Sequence, residues 1–221
     1  YTFMTNKLNV FKKGVLKMTS ERTKMGIPPL PLNLSQVNDL SYIIRSNYFN
    51  HNNPYHFKDV DFIKKQFTNR IIPGVDESSY VKAKLLNDIC TERVVTDLFN
   101  KKEAIQILGT MQGGYNVKLL TKLLENDETG YDAFKELENT ILIFDNYYKI
   151  EELQKNGNIY ADMLIKSWAD ANWFNKEKKL PDKITLSVFK VSGETNTDDL
   201  SPAQDAWSRP DIPLHSLCML K

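Results

Sequence analysis

Apolar residues recur at helical spacing along most of this chain and change to alternate positions near its end. Val37, Leu40, Ile44 and Tyr48 form one stripe, with Ser35 placed as its N-cap and a proline-rich connector, residues 25–33, leading into it. After a polar loop at 47–54, Val60, Phe62, Ile63 and Phe67 predict a second helix. Pro73 and Gly74 mark a turn, and Asp76 a cap, before Tyr80, Val81, Leu85 and Ile89. Ala104, Ile105 and Leu108 continue the pattern, followed by a glycine-containing turn and then Val117, Leu120, Leu123 and Leu124. A longer helix is predicted over 131–156, through Phe134, Leu137, Ile141, Phe144 and Tyr148, and another through Ala161, Leu164, Ile165, Trp168 and Trp173. Helices joined in short pairs predict an all-helical stack over residues 35–174, each pair burying its stripe on its neighbours, without a clean sequence repeat.

Beyond a charged connector at 176–182, Ile184, Leu186 and Val188 alternate with Thr185, Ser187 and Phe189, which is the period of a strand with one face on a core. Gly193 ends it, and Thr195, Asn196, Thr197 and Asp198 offer the short oxygens of a tight turn. The block that follows gathers Asp198, Asp199, Ser201, Asp205, Arg209, Asp211 and His215 in a short distance, as the edge of a site would. The pattern divides the chain into a ragged or targeting N-terminus at 1–17, a helical domain at 18–175, a linker at 176–183 and the start of a second domain at 184–221.

Composition narrows the picture only modestly. The 221 residues, 41% hydrophobic and 26% charged, can bury a sizeable core. With 29 Lys and Arg against 28 Asp and Glu, the net charge of +1 calls for neither nucleic acid nor an anionic membrane, and no apolar run is long enough to cross a bilayer. The first 18 residues carry Lys7, Lys12, Lys13 and Lys17 and no acid, which suits a solvated terminus or the remnant of an organellar transit peptide. Cys90 and Cys218 lack metal-ligand spacing and read as small buried thiols. Gly109-Thr-Met-Gln-Gly-Gly-Tyr-Asn116 lacks the Gly-Lys-Ser/Thr ending of a phosphate loop and reads as a helix end in close packing. Trp168, Trp173 and Phe174 sit at core spacing, and His51 and His56 read as surface residues.

The block from Phe189 to His215, Phe-Lys-Val-Ser-Gly-Glu-Thr-Asn-Thr-Asp-Asp-Leu-Ser-Pro-Ala followed closely by Asp-Ala-Trp-Ser-Arg-Pro-Asp-Ile-Pro-Leu-His, resembles the start of the swivelling domain of aconitases, in their bacterial-type B branch. Asp198 and Ser201 match the shorter Thr-Asp-His-Ile-Ser of other aconitases, whereas Asp199 replaces its His and follows the B branch. Asn69-Arg-Ile-Ile-Pro-Gly-Val-Asp-Glu, Leu108-Gly-Thr-Met-Gln-Gly-Gly-Tyr-Asn, Ile143-Phe-Asp-Asn-Tyr-Tyr and Ser167-Trp-Ala-Asp-Ala-Asn-Trp-Phe extend the resemblance to roughly residues 18–221.

The resemblance implies a mainly α fold, a HEAT-like stack of helix pairs followed by the first strand and turn of an α/β swivelling domain. It implies the N-terminal portion of an aconitate hydratase, a hydro-lyase of the tricarboxylic acid cycle. Such enzymes interconvert citrate and isocitrate through cis-aconitate on a [4Fe-4S] cluster whose exposed iron holds the substrate hydroxyl and a carboxylate, and 2-methylisocitrate dehydration is a further activity to expect. Arg209 matches a substrate-binding arginine, whose planar fork grips a carboxylate bidentately. Asp198 matches an aspartate that supports the catalytic network. The cluster cysteines and the catalytic serine are expected later in the polypeptide, so this chain is expected to hold no metal ligand and to bind no cluster, and Cys218 is not a ligand. A cytoplasmic protein is expected, with the mitochondrial matrix as the alternative if the basic terminus is a transit remnant. Homodimer formation through the helical domain, weak mRNA binding on cluster loss and no membrane partner complete the expectations. The alternative class is a helical-repeat protein-interaction module without catalysis of its own.

Overall fold

The computed structural model describes residues 2–26, 29–46, 49, 59–72, 74–111, 114–140, 143–172, 181–188 and 190–201. Its helices are α1 (Thr2–Lys24), α2 (Leu34–Arg45), α3 (Val60–Asn69), α4 (Glu77–Cys90), α5 (Lys101–Gly109), α6 (Asn116–Leu123), α7 (Gly130–Glu138), α8 (Asn146–Lys155), α9 (Ile159–Ala169) and the single turn α10 (Thr197–Leu200). The mainly α fold expected from the hydrophobic period is the fold observed.

Consecutive helices pair, α2 with α3, α4 with α5, α6 with α7 and α8 with α9. The pairs stack in two layers: α2, α4, α6 and α8 follow one another on one side, and α5, α7 and α9 on the other, where Lys64 of α3 also reaches Glu103 of α5 at 2.9 Å. Each helix buries its stripe between the layers. Val37, Leu40 and Ile44, then Ile63 and Phe67, Leu85 and Ile89, Ile105 and Leu108, Leu120 and Leu124, and Ala161 and Leu164 make one continuous core. Side-chain caps start several of these helices by taking up backbone N–H groups that the first turn leaves orphaned. Asn33 with Gln36 and Asn100 with Glu103 form reciprocal capping boxes, Asp76 accepts from Ser78 N, and Asn158 accepts from Ala161 N.

Four sequence expectations are corrected. The cap of α2 is Asn33, not Ser35, because Gln36 completes the box two residues earlier. The expected single helix over 131–156 is two, α7 and α8. The chain turns between them, with Phe144 in the left-handed region at φ 51° and 70% exposed although it continues the helical apolar period. The N-terminal residues, expected to be ragged, form α1, which buries Leu8, Phe11 and Val15, packs on α2, and pairs Lys7 with Asp39 and Lys12 with Asp59.

The segment after the connector also departs from its expected strand. Residues 183–188 form neither helix nor strand, and no strand occurs among the described residues. Ile184, Leu186 and Val188, which the alternation assigns to a buried face, are 57%, 78% and 91% exposed. A strand exists only through its ladder, and among the described residues no ladder forms here. Just beyond this segment, the carbonyl of Lys190 leaves no room for a Cβ on Gly26, past the end of α1.

Candidate functional site

Of the residues singled out for chemistry, the structure describes Asp198, Asp199, Ser201 and Cys90; Arg209, Asp205, Asp211, His215 and Cys218, together with His51, His56, Trp173 and Phe174, lie outside the described residues. Asp198 and Asp199 occupy the first turn of α10, after the glycine at φ 94°. The two carboxylates are used differently. Asp199 closes a capping box, its Oδ2 accepting from Asn196 N at 3.0 Å while Asn196 Oδ1 accepts from Asp199 N at 2.9 Å. Asp198 is exposed and makes no side-chain hydrogen bond to the described residues. The turn that sequence composition predicts is therefore a built cap that fixes Asp199 and leaves Asp198 available.

Cys90 is buried near the end of α4, with its thiol 4.0 Å from the carbonyl of Lys101. Burial pushes the thiol up to about 12, with its own backbone and the Lys101 charge opposing weakly, so the proton stays on sulfur at neutral pH. A thiol in this state suits packing and does not suit a cluster, which takes several thiolates together. Among the described residues no three His, Cys, Asp or Glu side chains converge as a metal site would require. These residues do not fit an iron-sulfur cluster.

The glycine turn 109–116 resolves as a packing device. Asn116, fully buried, accepts from Gly114 N at 3.0 Å and donates to Leu108 O at 2.8 Å, so its side chain ties the turn to the end of α5. Trp168 is partly buried against the core and lies 6.2 Å from the ring of Tyr147, in keeping with a packing role.

One feature of the surface had no signal in the sequence. A cleft of about 420 Å³ opens between α4 and α6, beside the first residue of α8, walled by Ala83, Leu119, Tyr80 and Tyr115. The two tyrosine rings stand edge to face, 5.2 Å apart, and both are substantially exposed. Lys84, Arg93 and Lys118 also line it. Its carboxylate, Asp88, is bonded by Arg45 from behind at 2.7 Å and lies 3.6 Å from Arg93. The three cations come from three elements, which is why no linear motif marks them.

A solenoid of helix pairs followed by an acidic capped turn defines a class, a helical-repeat domain leading into a second unit. The chain belongs to the aconitate B N-terminal domain family, whose model matches residues 15–174. A second family model, described as the aconitate hydratase 2 N-terminus, matches residues 186–221. Similar proteins named aconitate hydratase B include one from Escherichia coli, 47% identical over 205 residues, and one from Pseudomonas aeruginosa, 46% identical over 205 residues. Each alignment covers 93% of this chain and 23% of the relative. The Helicobacter pylori relative of the same name is 40% identical over 220 residues, covering 99% of this chain and 24% of that protein. The chain thus spans about a quarter of the length of these relatives. No helix among the described residues is long and apolar enough to cross a membrane.

Proposed function

We propose that this chain is the N-terminal part of an aconitate hydratase that interconverts citrate and isocitrate through cis-aconitate, with 2-methylisocitrate as a further substrate. The observation that carries the reading is the order of the two family matches, the helical domain at 15–174 and the following unit at 186–221, along one continuous chain. The [4Fe-4S] cluster and the catalytic serine belong to the polypeptide beyond this stretch. In this reading the connector at 176–183 separates a HEAT-like domain from the first residues of the substrate-binding domain.

Within the chain, Arg209 supplies the fork that holds a substrate carboxylate through two charge-assisted hydrogen bonds. Asp198, whose carboxylate is not spent on the α10 cap, orients its neighbours by accepting hydrogen bonds and moves no proton itself. The protein works in the cytoplasm, and its helical domain provides the surface for homodimer formation. An RNA role finds little electrostatic support in a net charge of +1.

The test is to express the longer polypeptide, load its cluster with iron and sulfide under reducing conditions, and follow cis-aconitate formation from citrate and from isocitrate. Hydration and dehydration at measured cluster occupancy support the reading. A fully loaded protein without either activity would leave the helical domain as an interaction module and remove the enzymatic role.

A further inference from the structure

We propose that the cleft between α4 and α6 is a binding site for a small organic anion with an apolar or planar body and at least two negative charges, a polycarboxylate or a phosphate ester. The inference stands apart from the aconitase reading, because none of the cleft residues belongs to the 198–215 block.

Lys84 and Lys118 are exposed and form no ion pair with the described residues, and Arg93 makes only a long contact to Asp88. That carboxylate is already held by Arg45 at 2.7 Å, so the cleft mouth presents positive charge that the fold itself does not neutralise. Some lysines on other helices do pair closely with carboxylates, Lys64 with Glu103, Lys101 with Glu92 and Glu128, and Lys166 with Asp162, whereas none of the three cleft cations has so close a partner among the described residues. Unpaired cations gathered on one concavity attract and hold a multivalent anion, since low-dielectric walls focus their field.

Shape gives the rest. A volume of about 420 Å³ falls in the range of small-molecule sites and is too small for a folded partner. Ala83, Leu119, Tyr80 and Tyr115 give an apolar interior under the charged rim, while Asn87 supplies an amide that donates to oxygens and Asn146 a second, which also reaches Ile143 O at 3.4 Å. Tyrosine rings exposed in a pocket contribute contact area at low entropic cost, and a planar body can lie against their exposed parts. The walls are held in place from beneath, because α4 and α6 are tied through the Gly74–Gly114 contact and through Tyr115 Oη, 3.4 Å from Val75 O.

The experiment titrates the 221-residue chain with citrate, with ATP without magnesium and with sulfate, reading the side-chain amide signals of Asn87 and Asn146 by NMR and affinity by calorimetry. Saturable binding of citrate or ATP that weakens with added salt, and weakens at least about tenfold in the Lys84→Glu/Lys118→Glu double variant, supports the site. Citrate alone binding identifies a polycarboxylate, and ATP alone a phosphate ester. Both lysines are exposed, so the unliganded double variant should keep its melting temperature. Absence of saturable binding overturns the proposal, as does binding indifferent to the double variant. Sulfate binding as tightly as the organic anions would show that the aromatic walls contribute nothing and would overturn the assignment of ligand class. Binding to this chain that disappears in the longer polypeptide would mean that another part of that protein fills the cleft, and would equally overturn it.

Discussion

Gly114 and Gly74 meet backbone to backbone: a Cβ placed on Gly114 would fall on the carbonyl of Gly74, inside any tolerable contact distance. Each glycine comes from one of the two phrases, 69–77 and 108–116, that carry the helical domain's resemblance to its family. The turn before α4 and the turn before α6 are pressed together there, with Gly74 itself at φ 93°. Only glycine meets both demands, a left-handed backbone on one side and no side chain on the other.

Replacing Gly114 by alanine should therefore destabilise the fold by roughly 1–3 kcal/mol, because the clashing atoms are backbone and cannot rotate away. Gly14 is the control. It lies within α1, exposed, with nothing near the position its Cβ would take, so Gly14→Ala should stabilise by about 0.5–1 kcal/mol. Urea unfolding of the two variants checks both signs, and equal effects would remove the close-approach argument.

The sequence made the helical stack legible because burial of apolar stripes at 3.6-residue spacing is a local signal. Val37, Leu40, Ile63, Phe67, Leu85, Leu108, Leu120 and Leu164 are all buried as that spacing predicts. Where non-local physics decides, the reading failed. The apolar period runs unbroken from Phe134 to Tyr148, yet the backbone turns at Asn139 and Thr140, where Thr140 Oγ1 bonds Glu136 O and competes with helix continuation. Ile184 to Val188 has the alternation of a strand but no partner among the described residues. Lys82 is charged in the sequence and fully buried in the fold, because Thr68 O at 3.0 Å and the Phe67 ring receive its ammonium. The α4–α6 cleft was invisible, since its cations are brought together only by stacking.

Lys82 and Glu136 should shape the pH dependence in opposite senses. Burial pushes Lys82 down to about 7 from an ordinary 10.5, so between those values the unfolded chain holds a proton that the folded chain has released. Its contribution is complete above 10.5 and is lost as pH falls through about 7. Burial, and then the Asp132 charge, push Glu136 up to about 7 from 4.5 against the pull of Lys135. Its contribution is complete below 4.5 and gone once pH has risen through about 7. Together they predict a stability minimum near neutral pH. Lys82→Met should flatten the alkaline limb, worth on the order of a few kcal/mol, and Glu136→Gln the acid limb. Unfolding free energies measured across the range check this, and an unchanged alkaline slope in the methionine variant would refute the lysine assignment.

Arg70 offers a test of opposite character. Its Nε and Nη2 are shut off from solvent and bond no described residue, and burial, followed by the Arg22 charge, lowers its proton affinity. Its backbone carbonyl does the structural work by accepting from Leu32 N at 2.7 Å, which a substitution leaves intact. Arg70→Met keeps the stem and removes the uncompensated charge, so stability should hold or rise by about 1–2 kcal/mol, contrary to the usual effect of truncating a half-buried residue. A loss of more than about 2 kcal/mol on denaturant unfolding would mean that the guanidinium has a partner that matters.

Arg209→Lys, made in the longer polypeptide, tests the role proposed for the terminal block. Lysine keeps the positive charge but replaces a planar fork by a single ammonium, so a carboxylate held by two parallel hydrogen bonds loses one of them and its orientation. A lost charge-assisted contact in a dry site is worth roughly 1.5–3 kcal/mol, about ten- to a hundredfold in kcat/KM for citrate and isocitrate. Folding and cluster content should be unaffected, because the substitution removes no thiolate and preserves charge. Steady-state kinetics and cluster content are measured on the same preparation, so that a change in loading is not mistaken for a change in binding. Efficiency equal to the parent's at equal loading would make Arg209 a surface arginine and end its substrate role.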